Sequence, residues 1–333
     1  MRRGASAVLA AVVVLGVAAL AAGSRRWTSA ASAAPQAAVS APSFGDAFWK
    51  QWGDDQAEIA TYDLTFPRYG EPRQGVAITI FVTETFSNDA RVKADPGRHP
   101  KSDEFPVMKL NLVEDFATGV YDYNLLTSTF VALTPFRGRP AGSPAKVSFS
   151  SQEWCGHVYH QILLDDRTLR TTSHSYFDGE ADRNETLPYP AGGVLEDALF
   201  HWARGLAGPL LPPSASVEVQ LLRSTQLVRL KHVPLVWEKA TLSRGAASTK
   251  LTVPAGTFEV ETLAAEVSGD EARTWTFSVE VPEPHRIVRF EKSDGERGDL
   301  VAVQRLSYWK MNAAKFLPDL ARIGLSPRPP RTP

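Results

Sequence analysis

The chain has 333 residues, enough for one large or two modest domains with a substantial hydrophobic core. Lys and Arg number 36 against 37 Asp and Glu, a formal charge of −1, which excludes bulk electrostatic binding of nucleic acid. A single cysteine, Cys155, excludes an internal disulfide, so the fold rests on its core.

Arg2 and Arg3 precede an uncharged run over residues 5–22, rich in Ala, Val and Leu. Ala-x-Ala patterns follow at 19–21 and 31–33. That order of regions is a secretory signal peptide of bacterial type. The run is also long enough for a retained membrane anchor, and Arg25 and Arg26, unusual after an early cleavage site, keep that reading open. Export is expected either way: periplasmic or secreted, or anchored in the inner membrane through residues 5–22. Membrane contact is expected only through such an anchor. Losing Arg2, Arg3, Arg25 and Arg26 takes the formal charge from −1 to −5, further from any polyanion partner. Residues 24–43, rich in Ala, Ser and Pro, read as a disordered linker.

Phe44, Phe48, Trp49 and Trp52 have helical spacing and predict a short helix. Strand patterns then dominate. Ala60, Tyr62, Leu64 and Phe66 alternate, residues 67–75 (PRYGEPRQG) read as a loop, and Val76, Ile78, Ile80 and Val82 line one face of the next strand. Residues 107–113 and 120–131 repeat the pattern across a turn-rich joint at 114–119. Residues 146–164 and 169–177 form a further hairpin, and residues 194–206 the one internal helix, ended by Gly205. Strands are expected at 217–222, 226–233, 235–242, 250–253, 257–267, 273–281, 287–292 and 300–309. Short joints and few helices mean an antiparallel sheet, and about a dozen strands must curl or close. The expected fold is mainly β: a strongly curved antiparallel sheet or barrel-like body with one or two covering helices. It occupies residues 44–312, with lobes 44–207 and 208–312 as the alternative, between a leader at 1–23 and a tail at 313–333.

Residues 150–160 (SSQEWCGHVYH) concentrate reactive side chains. The His157 and His160 spacing suits a helix, but on a strand it puts the rings on opposite faces. Glu153, Cys155 and His157 share a face instead. A two-residue loop at 165–166 sets His157 opposite His174, Cys155 opposite Tyr176 and Glu153 opposite Asp178. A four-residue loop moves each pair by two positions and keeps the face together; an odd loop scatters it. Cys155, His157, His174, Glu153 and Asp178 offer ligands for a divalent metal such as zinc. Alternatively, His157 activates Cys155 as a nucleophile. A polar hairpin face is also commonly just solvated. The acidic loop at 178–184 spaces oxygens as a calcium loop does, but Arg183 stands where glycine is required. A second, diffuse cluster of Arg68, Glu71, Lys93, Asp95, Lys109 and Asp122 lies near strand ends and suits a pocket mouth for a polar or anionic ligand.

Two stretches carry a resemblance. Residues 253–260 (VPAGTFEV), and residues 146–157 (KVSFSSQEWCGH) with 68–71 (RYGE) upstream, resemble elements of uncharacterised exported bacterial β proteins. They cover about a tenth of the chain. The resemblance implies a β-rich envelope protein and nothing about substrate. No phosphate loop, dinucleotide fingerprint, His-Glu-x-x-His or Gly-x-Ser-x-Gly motif is present. The leading expectation is a ligand-binding or envelope-assembly module for an apolar or amphipathic small molecule. The alternatives are a metal or thiol enzyme centred on Cys155, His157 and His174, and a structural surface protein.

Overall fold

Alternation of apolar and polar residues carries most of the chain into strands, because each strand buries one face. The computed structural model describes residues 39–327. The expected leader and most of the linker lie outside them. Helix α1 spans Asp46–Trp52. Strands β1 (Ala57–Arg68), β2 (Glu71–Ser87), β3 (Glu104–Thr118) and β4 (Tyr121–Ala132) follow. Next come β5 (Pro144–Glu153), β6 (Gly156–Leu164), β7 (Thr168–Ser175), β8 (Arg183–Pro188) and the short β9 (Val194–Leu195). Helix α2 (Leu199–Ala203), β10 (Ser216–Leu222) and helix α3 (Thr225–Lys231) precede β11 (Trp237–Arg244) and β12 (Thr249–Val253). The last strands are β13 (Gly256–Val267), β14 (Arg273–Glu280), β15 (Ile287–Lys292) and β16 (Arg297–Leu306).

All sixteen strands join one sheet. From its middle, β1 to β8 run outward in chain order on one side, and β16, β15, β14, β13, β11, β10 and β9 on the other, with β12 paired to β13 off this path. β1 and β16 join the halves, with Ala60 opposite Val303. The alternative of two separate lobes therefore gives way to one continuous sheet. Among the described residues only the β9–β10 pair is parallel. Strand twist accumulates over so many strands and brings the two ends of the sheet together. Ile162, Leu164 and Leu169 from one end share a buried cluster with Leu195 and Leu222 from the other. The Trp237 indole N–H donates to the Pro188 carbonyl at 2.9 Å across the same seam. The body is barrel-like, closed by packing rather than by a continuous ladder.

The interior is filled. Leu199, Phe200 and Trp202 of α2 are buried, and Phe200 meets Phe277 and Phe290 ring to ring at 5.2 and 5.1 Å. Helix α3 covers one end. Arg68 donates to its Leu230 carbonyl at 3.0 Å, and Lys231 pairs with Glu271 at 2.8 Å.

Several boundaries differ from the sequence expectation. The loop expected at 67–75 is a two-residue turn, because β1 and β2 pair out to Arg68 and Glu71. The turn expected at 114–119 shrinks to Gly119 and Val120. The expected helix at 194–206 is a short strand, a 3-10 turn (Glu196–Ala198) and only five α-helical residues. The strand expected at 226–233 is α3. Of the expected tail, Ala314–Ile323 packs as a 3-10 segment, with Thr61 Oγ1 donating to the Ile323 carbonyl at 2.6 Å.

Candidate functional site

The reactive hairpin does not assemble as expected. Trp154 and Cys155 form a two-residue turn, with Glu153 opposite Gly156 and Gln152 opposite His157. The reversal puts Glu153 and His157 on opposite faces, where an unbroken strand would have kept them together. Glu153 turns inward and pairs with Arg229, whose guanidinium lies 3.8 Å from the Phe177 ring centroid. Cys155 is exposed in the turn. The β6–β7 loop is the four-residue one, so His174 lies opposite Tyr159, and the Tyr176 N–H donates to the His157 carbonyl at 3.2 Å. His157, His174 and Asp178 are exposed, and His174 Nδ1 sits 2.8 Å from Asp182 Oδ1. Among the described residues, no three His, Cys, Asp or Glu side chains stand together as a metal site.

The second cluster is dispersed. Arg68, Glu71 and Asp122 lie at the α3 end, and Lys93 and Asp95 in the β2–β3 connection at the opposite end. Lys109 pairs with Glu84 at 2.6 Å on the sheet between them. Arg68 instead joins a tyrosine group, donating to Tyr123 Oη at 3.1 Å, while Tyr69 and Tyr123 hydroxyls meet at 2.6 Å.

The larger polar assembly lies buried beneath α3. Ser224 caps this helix, accepting the Leu227 N–H at 3.2 Å, and His232 ends it at φ 56°. Asp197 accepts the Thr225 N–H at 3.1 Å and its hydroxyl at 2.9 Å. Glu196 accepts from the Ser224 N–H, the Trp275 indole and Arg273, and Glu238 accepts from Arg273 and Arg223 at 2.7 Å each. Glu114 takes the Gln226 amide and faces Glu296, which pairs with Lys292. Burial, then the neighbouring Glu296 charge, holds the Glu114 pKa well above the usual carboxylate range. Burial pushes Asp197 up to about 7. Five acids (Glu114, Glu196, Asp197, Glu238, Glu296) thus face three bases (Arg223, Arg273, Lys292). Burial therefore favours the protonated forms of Glu114, Glu296 and Asp197 over three more buried charges.

The opposite, α2 side holds a cavity of about 390 Å³. Phe48 and Trp52 fall on one face of α1, with the Phe44 ring tilted against Phe48 at 4.7 Å. Gly205 at φ 72° ends the α2 turn, and the Trp202 indole donates to the Pro209 carbonyl at 2.9 Å. These turns set Phe44, Phe48, Trp52, Trp202, Leu206 and Leu263 around one space. Arg204, 4% exposed, stands in its wall, pairs with Glu58 at 2.6 Å and donates to the Pro284 carbonyl at 3.0 Å. Its Nε has no hydrogen-bond partner. Trp52 lies between two guanidinium groups, Arg204 at 5.3 Å and Arg305 at 4.8 Å. Arg244 pairs with Glu261 at 2.7 Å on the rim.

No family model and no curated protein matches the chain. A solved structure is similar: a β-barrel-like protein of a domain of unknown function, DUF1849, from Brucella abortus. That likeness has 13% identity, a TM-score of 0.44, and covers 75% of this chain and 98% of that one.

The cavity's aromatic wall suits apolar surface, and Arg204 and Arg244 in its lining are matched by Glu58 and Glu261. Sequence reasoning reached Phe44, Phe48 and Trp52 as a helix face. It missed Arg204, whose partner Glu58 lies 146 positions away.

Proposed function

We propose that this protein is exported and acts as a non-enzymatic binding module for an apolar or amphipathic small molecule, held in the cavity between α1 and α2. The observation that carries the reading is the 390 Å³ aromatic-lined space. That size lies within the usual range for small-molecule sites. Apolar surface provides the affinity. The order of basic, apolar and small residues at the N-terminus supports export.

Titration with laurate, followed by tryptophan fluorescence, tests the site. Laurate should perturb the emission saturably. Ala47→Trp, which adds bulk from an exposed position on the cavity wall, should weaken binding at least tenfold with the unfolding midpoint unchanged. Equal binding to that variant, or no saturable binding, rejects the site. Export is tested separately by fractionating cells and weighing the intact mature chain: a product that stays in the cytoplasm with residues 1–23 present rejects it.

A further inference from the structure

Large apolar side chains are exposed unevenly over the described residues. Val120, Tyr176, Trp154 and Tyr69 are the four most exposed, at 82, 71, 69 and 56%. All four stand at one end of the sheet, on successive turns. Tyr69 lies between β1 and β2, Val120 between β3 and β4, Trp154 between β5 and β6, and Tyr176 directly after β7. The turn at the other end of β6 and β7 shows the ordinary surface choice, Asp165, Asp166 and Arg167.

Packing holds these tips in a row. The Tyr69 and Tyr121 hydroxyls lie 3.3 Å apart, and the Tyr121 and Trp154 ring centroids 6.2 Å apart. Tyr176 lies over Gly156, where a Cβ would stand 2.5 Å from its ring. Neighbouring hairpins are two strand spacings apart, ~10 Å, so the four tips extend about 30 Å along the sheet. Tyr69 has φ 55°, a conformation that glycine adopts more easily. The turn thus carries an exposed aromatic ring against its backbone preference.

The row fits a bilayer surface better than a folded partner. A protein interface needs a contiguous apolar centre. Here single apolar side chains on separate turns alternate with charge: residues 68–73, 118–123, 152–157 and 175–183 hold three arginines and six acidic residues, a formal −3. Separate Trp and Tyr rings, each with a polar end, settle at the headgroup level of a membrane. The acidic surround disfavours an anionic leaflet. We propose that these hairpin ends form a membrane-contact edge, which sets Trp154, Tyr176, Tyr69 and Val120 into the headgroup region of a zwitterionic bilayer. Contact of this kind needs no anchoring helix and does not depend on the cavity at the α2 side.

Vesicles of phosphatidylcholine with brominated acyl chains test it, because bromine quenches tryptophan only at close range in the bilayer. The readout is the part of the full chain's quenching that Trp154→Phe removes. That difference isolates Trp154 from the other tryptophans, whether or not residues 5–22 enter the bilayer. Val120→Asp combined with Tyr176→Ser should lower it about tenfold or more, with the thermal midpoint unchanged. Leu317→Ser, at an exposed site elsewhere, should leave it as it is. Phosphatidylglycerol in the vesicles should weaken it. No Trp154-dependent quenching, equal quenching in the double variant, or stronger quenching on phosphatidylglycerol that salt removes, overturns the proposal. So does self-association in lipid-free solution that Val120→Asp abolishes, which would assign the tips to a second copy of the chain.

Discussion

Glu153 and Arg229 lie 76 positions apart in the chain and meet in the dry interior. Removing one member leaves the other charged and uncompensated. Arg229→Met should therefore cost about 3–5 kcal/mol in urea unfolding, while Glu153→Gln combined with Arg229→Met recovers most of it. A single variant no worse than the double one would show that the pair is not coupled. Cys155 makes the opposite case. It sits exposed in a turn beside Trp154, itself 69% exposed. It should be alkylated in the native protein about as fast as in urea, and Cys155→Ser should leave the thermal midpoint within about 0.5 kcal/mol of stability. At this scale the sequence was half legible. Glu153, Cys155 and His157 were legible as a concentration of reactive side chains. The break in their common face was not, because Trp154 and Cys155 are poor advertisements for a turn and only Gly156 beside them hints at one. Ion partners such as Glu196 and Arg273, 77 positions apart, leave no local trace at all.

Helix α3 shows how elements become ambiguous. Leu227, Val228, Leu230 and Val233 fit a strand and a short helix alike, and only the Ser224 cap favours the helix. Ser224→Ala should cost about 1 kcal/mol, read from the urea midpoint. Asp197 ties the start of α3 to the turn before α2, and it titrates at about 7 when folded. Its unfolded value is about 4, so between about pH 4 and 7 the folded state holds a proton that the unfolded state releases. Its contribution is complete at low pH and is lost as pH rises through 7. His160 and His201 act in the reverse sense: burial pushes them down to about 4 and about 3, so stability is lost as pH falls below about 6.5. Asp197→Asn should therefore steepen the rise of the unfolding midpoint between pH 4 and 6.5. An unchanged slope would mean that Asp197 is ionised throughout that range.

For the molecule as a whole, alternation at Ala60, Tyr62, Leu64 and Phe66, and again along β13 to β15, was enough to read a curved antiparallel sheet. How the sheet closes was not legible. Contacts such as Leu164 with Leu195, or Trp237 with Pro188, depend on accumulated twist and not on any one segment. The seam lacks a continuous ladder, and β8 is exposed nearly throughout and pairs only with β7. Amides of β8 should exchange first among the strands and those of β1 and β2 last; uniform protection across the sheet would contradict packing-based closure.

The pairing of β1 with β16 also orders events in time. Ala57 waits for Leu306. A chain that emerges from its N-terminus presents β1 with β2 on one flank and nothing on the other until almost the last strand is out. Closing a loop of that length is slow, and an open flank invites pairing with the wrong chain. Maturation is therefore governed by arrival of the C-terminal hairpin β15–β16, and truncations after β14 should aggregate instead of yielding a smaller folded product.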